Sequence, residues 1–313
     1  MTRGKLIAVA SLLAFAIGRE GVDARQQPPT ATFKAGVDLV RVAAVVRDHK
    51  GRFVQDLNAN DFEILDGGQK RSITDFRRDT AGVSVALLFD VSGSMEGHLS
   101  SAREAATHVL SWLDARDEAG VFTFDTQLQQ SGAFTRSLKA LPEQLSSVVP
   151  FGATSLHDAI AETARRVAER EGRRRAVVVL TDGNDNASRL TPEQVSAIAS
   201  EIDVPVYILG VVPAIDNPAA DTATMSVERS ALAGPLADLA NWTGGHVFAV
   251  STPGQRSIAA RQIIDELRHQ YLIAFESSGN PGWHPLVVRA RQKDLVVRAR
   301  SGYMAGQSRP SES

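Results

Sequence analysis

The sequence predicts an α/β protein with a doubly wound, mostly parallel sheet, joined to a small β-sandwich built from both ends of the chain. Between residues 82 and 270, continuous apolar runs typical of buried parallel strands alternate with stretches of helical periodicity. The blocks on either side, 33–81 and 271–303, show short strand patterns separated by turn signals. Each block is too small to bury a core alone, so we expect the two to pair.

The composition narrows the classes of protein to which this chain can belong. Its 313 residues are enough for about two domains, and 43% hydrophobic with 22% charged residues excludes a disordered chain. The absence of cysteine excludes thiolate zinc clusters, iron–sulfur centres, disulfide scaffolds and thiol nucleophiles. A formal net charge of −2 gives no electrostatic support for nucleic-acid binding, and we expect no nucleic-acid partner.

The first residues predict export. Two basic residues precede the 12-residue apolar run LIAVASLLAFAI (6–17), which is short for a membrane span but suits the core of a signal peptide. A V-x-A cleavage motif ends at Ala24, so we predict a signal peptide over 1–24 and a mature chain that begins near Arg25. An uncleaved N-terminal anchor is the alternative. After cleavage we expect no membrane span and a periplasmic or extracellular location.

The remaining elements follow in order along the chain. A flexible leader is predicted at 25–32 and a flexible tail at 304–313, with the sandwich segments at 33–81 and 271–303 and the α/β domain at 82–270. Within that domain, strands are predicted at 83–89, 121–124, 176–181, 204–210 and 245–250, and helices near 97–113, 139–148, 155–171, 192–201, 228–241 and 255–269.

Two further segments carry their own predictions. The repeat VVRARQ…VVRARS, which begins at Val287 and again at Val296, predicts two adjacent strands of one hairpin with valine inside and arginine outside. The loop 212–227 is long for a connection after a strand, and we interpret it as a segment that tunes partner choice.

Oxygen-bearing side chains follow the predicted strands at one edge of the sheet. Asp90, Ser92 and Ser94 come directly after the first buried strand, Thr154 opens a helix, and Asp182 ends the strand 176–181. In an open α/β sheet, ligands bind beyond the carboxyl ends of the strands, where these loops meet. Taken singly, each motif also fits a helix cap or an Asp-Gly turn.

The order D-x-S-x-S, then Thr, then Asp resembles the metal-ion-dependent adhesion site (MIDAS) of the von Willebrand factor A-type domain, also known as the integrin inserted domain. All five positions match, and the resemblance covers about residues 82–270. The flanking β segments also resemble those of exported bacterial proteins with such domains, notably an acidobacterial group. The resemblance implies that the serines, and often the threonine, hold a metal directly while the aspartates commonly act through water.

The ligand chemistry agrees with what the resemblance implies. Oxygen ligands without His or Cys select a hard ion, Mg²⁺ or Mn²⁺, whereas Ca²⁺ would require more ligands. Three hydroxyls and at most two carboxylates leave the ion partly unneutralised, with a position free for an exposed Asp or Glu of a protein partner. We therefore predict a metal-dependent protein-binding or adhesion module that is not an enzyme.

Two alternatives remain open from the residues. The protein could be a structural scaffold whose metal only orders loops, with the sandwich making the contacts. It could instead be a metal-assisted hydrolase in which His98 or His157 pairs with Ser94. The sequence contains neither a nucleophile elbow nor a P-loop, and Ser92 stands where an aspartyl-phosphate enzyme would need a second aspartate.

Overall fold

The computed structural model describes residues 39–78, 81–170, 174–201, 203–212 and 232–305. The predicted signal peptide and leader, loop residues 213–227 and tail residues 306–313 lie outside these ranges. Within the described ranges, no helix is both long and apolar enough to cross a bilayer.

The strands and helices have the following bounds. The strands are β1 (Leu39–Arg47), β2 (Phe62–Asp66), β3 (Gln69–Arg71), β4 (Ile73–Arg78), β5 (Val83–Asp90), β6 (Glu118–Phe124), β7 (Leu128–Arg136), β8 (Arg174–Thr181), β9 (Val206–Val211), β10 (Val247–Val250), β11 (Gln270–Glu276), β12 (Gly282–Ala290), β13 (Val296–Ala299) and β14 (Gly302–Ala305). The helices are α1 (Leu99–Trp112), α2 (Leu156–Ala168), α3 (Pro192–Glu201), α4 (Pro235–Trp242) and α5 (Pro253–Arg268).

A six-stranded sheet forms the centre of the α/β domain, in the order β10-β9-β8-β5-β6-β7. All neighbours are parallel except β7, which pairs antiparallel with β6 at one edge. Every residue of β5 is buried because helices cover both faces: Leu87 lies in the core with α1 and α5, and Leu88 in the core with α2, α3 and α4. The predicted doubly wound fold is confirmed.

Two four-stranded antiparallel sheets form the sandwich, in the orders β13-β1-β11-β4 and β14-β12-β2-β3. Each sheet takes strands from both ends of the chain, and the two share one apolar core that includes Val42, Phe62, Phe275 and Leu286. The predicted sandwich of N- and C-terminal segments is confirmed. Its last strand runs to Ala305, two residues into the segment predicted as a tail.

The prediction of one hairpin from the VVRAR repeat is wrong. Strand β12 pairs with β2 and β14, whereas β13 pairs with β1 in the opposite sheet. The arginines of the second copy also do not all face solvent, since Arg300 is 6% exposed. A turn near Lys293 therefore carries the chain from one sheet of the sandwich to the other.

The predicted helix at 139–148 is also wrong, because only a single 3-10 turn forms at Glu143–Ser146. Pro142 precedes that turn, and the hydroxyls of Ser146 and Ser147 donate to the carbonyls of Glu143 and Gln144. Such local bonds from serine offer the backbone an alternative to helix.

Three arginines of the sandwich, of which Arg300 is buried and the other two are partly buried, contact the carboxyl ends of helices in the α/β domain. Arg300 donates to the carbonyl of Ser200, near the end of α3, and Arg47 and Arg298 both form ion pairs with Glu266, near the end of α5. The carboxyl end of a helix carries partial negative charge, which favours cations there. This interaction explains why Arg298 and Arg300 turn inward. Because α5 runs antiparallel to the strands, the contact lies at the edge of the sheet away from the loops that follow β5 and β8.

We predict that Glu266→Ala lowers the free energy of unfolding by about 3 kcal/mol, because it leaves two arginines without their buried acidic partner. Glu162 is the matched control, since it also pairs with two arginines, Arg165 and Arg166, but on an open helix face. We expect Glu162→Ala to cost less than about 1 kcal/mol. Urea denaturation measures both values, and equal losses would contradict the described interface.

Candidate metal centre

Asp90 is the last residue of β5 and its carboxylate is completely buried. One oxygen, Oδ1, accepts hydrogen bonds from the backbone N–H of Ser92 at 3.0 Å and from its hydroxyl at 2.6 Å. The other, Oδ2, accepts from the hydroxyl of Thr181 at 2.7 Å. Both oxygens are thus fixed, by the loop that follows β5 and by the end of the neighbouring strand β8.

Three hydroxyls form a row whose middle member, that of Ser92, is bound to this carboxylate. The Oγ of Ser92 lies 3.1 Å from the Oγ of Ser94, and the Oγ1 of Thr154 donates to the Oγ of Ser92 at 2.8 Å. Ser92 and Thr154 are buried, whereas Ser94 is exposed. The cluster therefore opens to solvent on the side of Ser94.

Backbone contacts hold the three loops together. The N–H of Gly93 donates to the carbonyl of Gly152 at 3.0 Å, and Gly152 has a φ of +86°, which favours glycine. The side-chain carbonyl of Asn186 accepts from the N–H of Thr154 at 2.8 Å, and the N–H of Asn186 donates back to the carbonyl of Thr154. These bonds set the position of Thr154 relative to the serines.

Asp182 lies beside this cluster without a hydrogen bond to its other members among the described residues. Its carboxylate accepts from the backbone N–H of Asn184 at 3.1 Å and from the side-chain amide of the same residue at 2.9 Å. Its charge is close enough to raise the pKa of Asp90. The structure thus joins four of the five predicted site residues by hydrogen bonds and places the fifth within electrostatic reach.

Sequence reasoning missed Thr181 and Asn186. The role of Thr181 follows from strand register, which the sequence alone does not fix: Phe89 pairs with Leu180 in the parallel ladder, so the residues that follow them, Asp90 and Thr181, end adjacent strands side by side. Asn186 lies in the polar loop after Asp182, and no feature of the sequence distinguishes it from Asn184.

The spacing of the hydroxyl oxygens fits an octahedral cation. Mg²⁺ binds oxygen at about 2.1 Å, so adjacent ligands of an octahedron lie about 3 Å apart. The observed separations of 2.8 and 3.1 Å agree with that value. Clusters of three or more His, Cys, Asp or Glu able to hold a metal are not found in the described part of the chain.

The environment of Asp90 disfavours a bare charge. Burial, with a smaller contribution from the charge of Asp182, raises the pKa of this carboxyl to about 6 despite the lowering effect of the hydrogen bonds from Ser92 and Thr181. A nearby cation would favour the ionised form and oppose this shift. Without one, ionisation of Asp90 at neutral pH destabilises the fold.

His98 and His157 lie near the cluster. Among the described residues, neither forms a hydrogen bond with the hydroxyl of Ser94. The Nδ1 of His157 is 3.3 Å from the carboxylate of Asp185, and its backbone N–H donates to that carboxylate and to the hydroxyl of Ser188. Asp185 and Ser188 thereby cap the start of α2, which follows Thr154.

We predict that, in EDTA, the contribution of Asp90 to the stability of the metal-free protein falls as the pH rises from about 4 to about 6.5. The pKa of Asp90 is raised above its unfolded value of about 3.9, so its favourable contribution is complete below pH 4 and is lost through pH 6, a change of about 2–3 kcal/mol. Asp90→Asn has no carboxyl to ionise and should remove this part of the pH dependence. Urea denaturation of both proteins measures it, and parallel pH profiles would contradict the prediction.

Residues 85–184 match the family model for the von Willebrand factor type A domain, and this range contains all five candidate site residues. A comparison with curated proteins finds no match.

Three solved structures illustrate the structural similarity. An aerotolerance-related membrane protein from Bacteroides fragilis is 21% identical, with 59% of this chain and 98% of the other covered and a TM-score of 0.47. A von Willebrand factor type A protein from Catenulispora acidiphila is 13% identical, with 87% and 74% covered and a TM-score of 0.47. Proximal thread matrix protein 1 from the mussel byssus, solved with a zinc-occupied MIDAS motif, is 19% identical, with 63% and 48% covered and a TM-score of 0.45.

The matched range begins in β5 and ends just after β8, so it includes Asp90 at the end of β5 and Asp182 directly after β8. Over residues 85–184 the chain is similar to the von Willebrand factor type A domain.

Proposed function

We propose that this protein is an exported, metal-dependent protein-binding or adhesion module that docks an acidic residue of a partner. In this proposal Asp90, Ser92, Ser94, Thr154 and Asp182 hold a divalent cation, Mg²⁺ or Mn²⁺. The observation that carries it is the row of three hydroxyl oxygens at octahedral spacing, buried at one end and exposed at Ser94.

The charges of the site support an acidic ligand. Three of the five proposed ligands are neutral, and Asp90 is shielded by hydrogen bonds to both of its oxygens. When bound, the cation would supply residual positive charge at the exposed end of the cluster. A carboxylate is a hard oxygen ligand of opposite charge, so an Asp or Glu side chain of a partner suits this position.

Docking of this kind needs no general base, and we propose that the protein is not an enzyme. The rival structural role, in which the metal only orders loops, differs in one measurable property. A cation that only orders loops would give carboxylate ligands no advantage over neutral ligands of the same size.

Export is the second part of the proposal and rests on the N-terminal sequence. The basic residues, the apolar run at 6–17 and the cleavage motif at Ala24 together support a signal peptide. N-terminal sequencing of the protein recovered outside the cytoplasm is expected to start at Arg25. A chain that keeps Met1 would contradict cleavage and favour the N-terminal anchor.

We predict that millimolar Mg²⁺ raises the melting temperature of the mature protein at about pH 7.5, relative to EDTA. An ion at a hundredfold excess over its Kd that binds only the folded state adds about 2.7 kcal/mol. Asp90→Asn should reduce this shift strongly. Asp75→Asn, an exposed position on β4 of the sandwich, is the matched control and should keep it. Equal shifts in the two variants would place cation binding elsewhere.

We also predict that carboxylates compete for the exposed position of the cation. With Mn²⁺ bound, exchange of a coordinated water should increase the relaxation rate of solvent protons, and acetate should lower that rate saturably by displacing the water. Acetamide has nearly the same shape without the charge and should have little effect. The same response to acetate and acetamide would argue for the loop-ordering role.

A further inference from the structure

Two large apolar side chains project into solvent beside the proposed metal centre. Val149 and Phe151 are 79% and 80% exposed, more than any other large hydrophobic residue in the described part of the chain. They flank Pro150 and come directly before Gly152, in the loop that leads to Thr154. We refer to residues 149–151 as the apolar tip.

The backbone on both sides of the apolar tip is held in place. The guanidinium of Arg103, on α1, donates to the carbonyl of Val148 at 3.3 Å. The N–H of Phe151 donates to the carbonyl of Val91 at 3.0 Å, and the carbonyl of Gly152 accepts from the N–H of Gly93 at 3.0 Å. The bond from Phe151 joins the tip directly to the loop that carries Ser92 and Ser94, and the bond between Gly93 and Gly152 joins the residue that follows the tip to the same loop.

We propose that the apolar tip is the part of the docking face that selects among acidic partners, and that the preferred ligand is an Asp or Glu with a bulky apolar residue within two positions of it in the partner chain. This inference rests on the proposed function, because it places the acidic residue at the exposed end of the hydroxyl row. Phe151 and Val149 then contact the neighbouring apolar side chain.

Chain geometry supports this pairing. Residues along an extended segment are about 3.3 Å apart, so a side chain one or two positions from the docked acid lies within reach of a neighbouring loop. The hydrogen bonds between Val91 and Phe151 and between Gly93 and Gly152 make the tip such a neighbour. An apolar contact made by a held backbone also loses little conformational entropy on binding.

An isolated exposed hydrophobic residue needs no explanation in a folded protein. The apolar tip differs in two respects: its two large side chains are exposed almost completely, and hydrogen bonds fix it to the same loop as the hydroxyl row. Val296, which is 65% exposed on the sandwich, provides an apolar surface residue without that connection.

The test uses displayed libraries of random peptides that contain one fixed glutamate, or a glutamine in its place. The mature protein selects binders in Mg²⁺ and, separately, in EDTA. We expect the glutamate library to be enriched only in Mg²⁺, with Phe, Leu, Ile or Trp over-represented within two positions of the glutamate. The variants are the double substitution Val149→Ser with Phe151→Ser, the conservative Phe151→Leu, and the control Val296→Ser.

The double variant should bind the selected peptides about tenfold more weakly, which corresponds to the loss of one partly buried large apolar contact. Phe151→Leu should retain most of the affinity and Val296→Ser all of it. All three positions are on the surface, and unchanged melting temperatures would show that the variants fold.

The outcomes separate this inference from the proposed function. Glutamate-dependent, Mg²⁺-dependent enrichment without an apolar bias would overturn the role of the tip and leave acid docking intact. Equal affinity of the double variant and the unsubstituted protein for the selected peptides would also overturn the role of the tip and leave acid docking intact. No Mg²⁺-dependent enrichment of glutamate would overturn acid docking and the inference with it.

Discussion

The buried carboxylate of Asp90 is the constraint on which the rest of the site depends. It lies at the end of the fully buried central strand β5, where hydrogen bonds from Ser92 and Thr181 fix both oxygens but do not neutralise the charge. Burial raises its pKa to about 6, so near neutral pH the site favours either a proton or a cation. The hydroxyls of Ser92, Ser94 and Thr154 provide the geometry for a cation, since their separations match the edges of an octahedron.

The two edges of the central sheet make different contacts: the loops of the candidate metal centre lie at one edge, and the sandwich is attached near the other. At the carboxyl edge, three loops converge on the hydroxyl row and leave Ser94 exposed. Near the other edge, arginines of the sandwich contact the carboxyl ends of α3 and α5 through Ser200 and Glu266. Because these contacts attach the sandwich near the amino ends of the strands, the described residues of the sandwich lie away from the loops of the candidate metal centre.

The sequence predicted those features that depend on local pattern, and it failed where distant contacts decide. Continuous apolar runs identified the buried strands, and the spacing of Asp90, Ser92 and Ser94 located the segment to which Thr154 is joined by a hydrogen bond. The orientation of Arg298 and Arg300 could not be read from alternation alone, because helix carboxyl ends from another part of the chain attract them inward. Thr181 was missed for the related reason that its role depends on strand register, which the sequence does not state. The acidobacterial subgroup remains a prediction.

Anomalous diffraction from crystals of the mature protein grown with Mn²⁺ tests the central claim most directly. We predict one strong peak bounded by the hydroxyls of Ser92, Ser94 and Thr154, with Asp90 and Asp182 close by and a solvent-facing coordination position beside Ser94. The peak should be absent in Asp90→Asn crystals grown in the same way. A strong Mn²⁺ peak elsewhere with none at the hydroxyl row, or a cation enclosed by protein ligands on all sides, would contradict a metal centre built to receive an acidic partner.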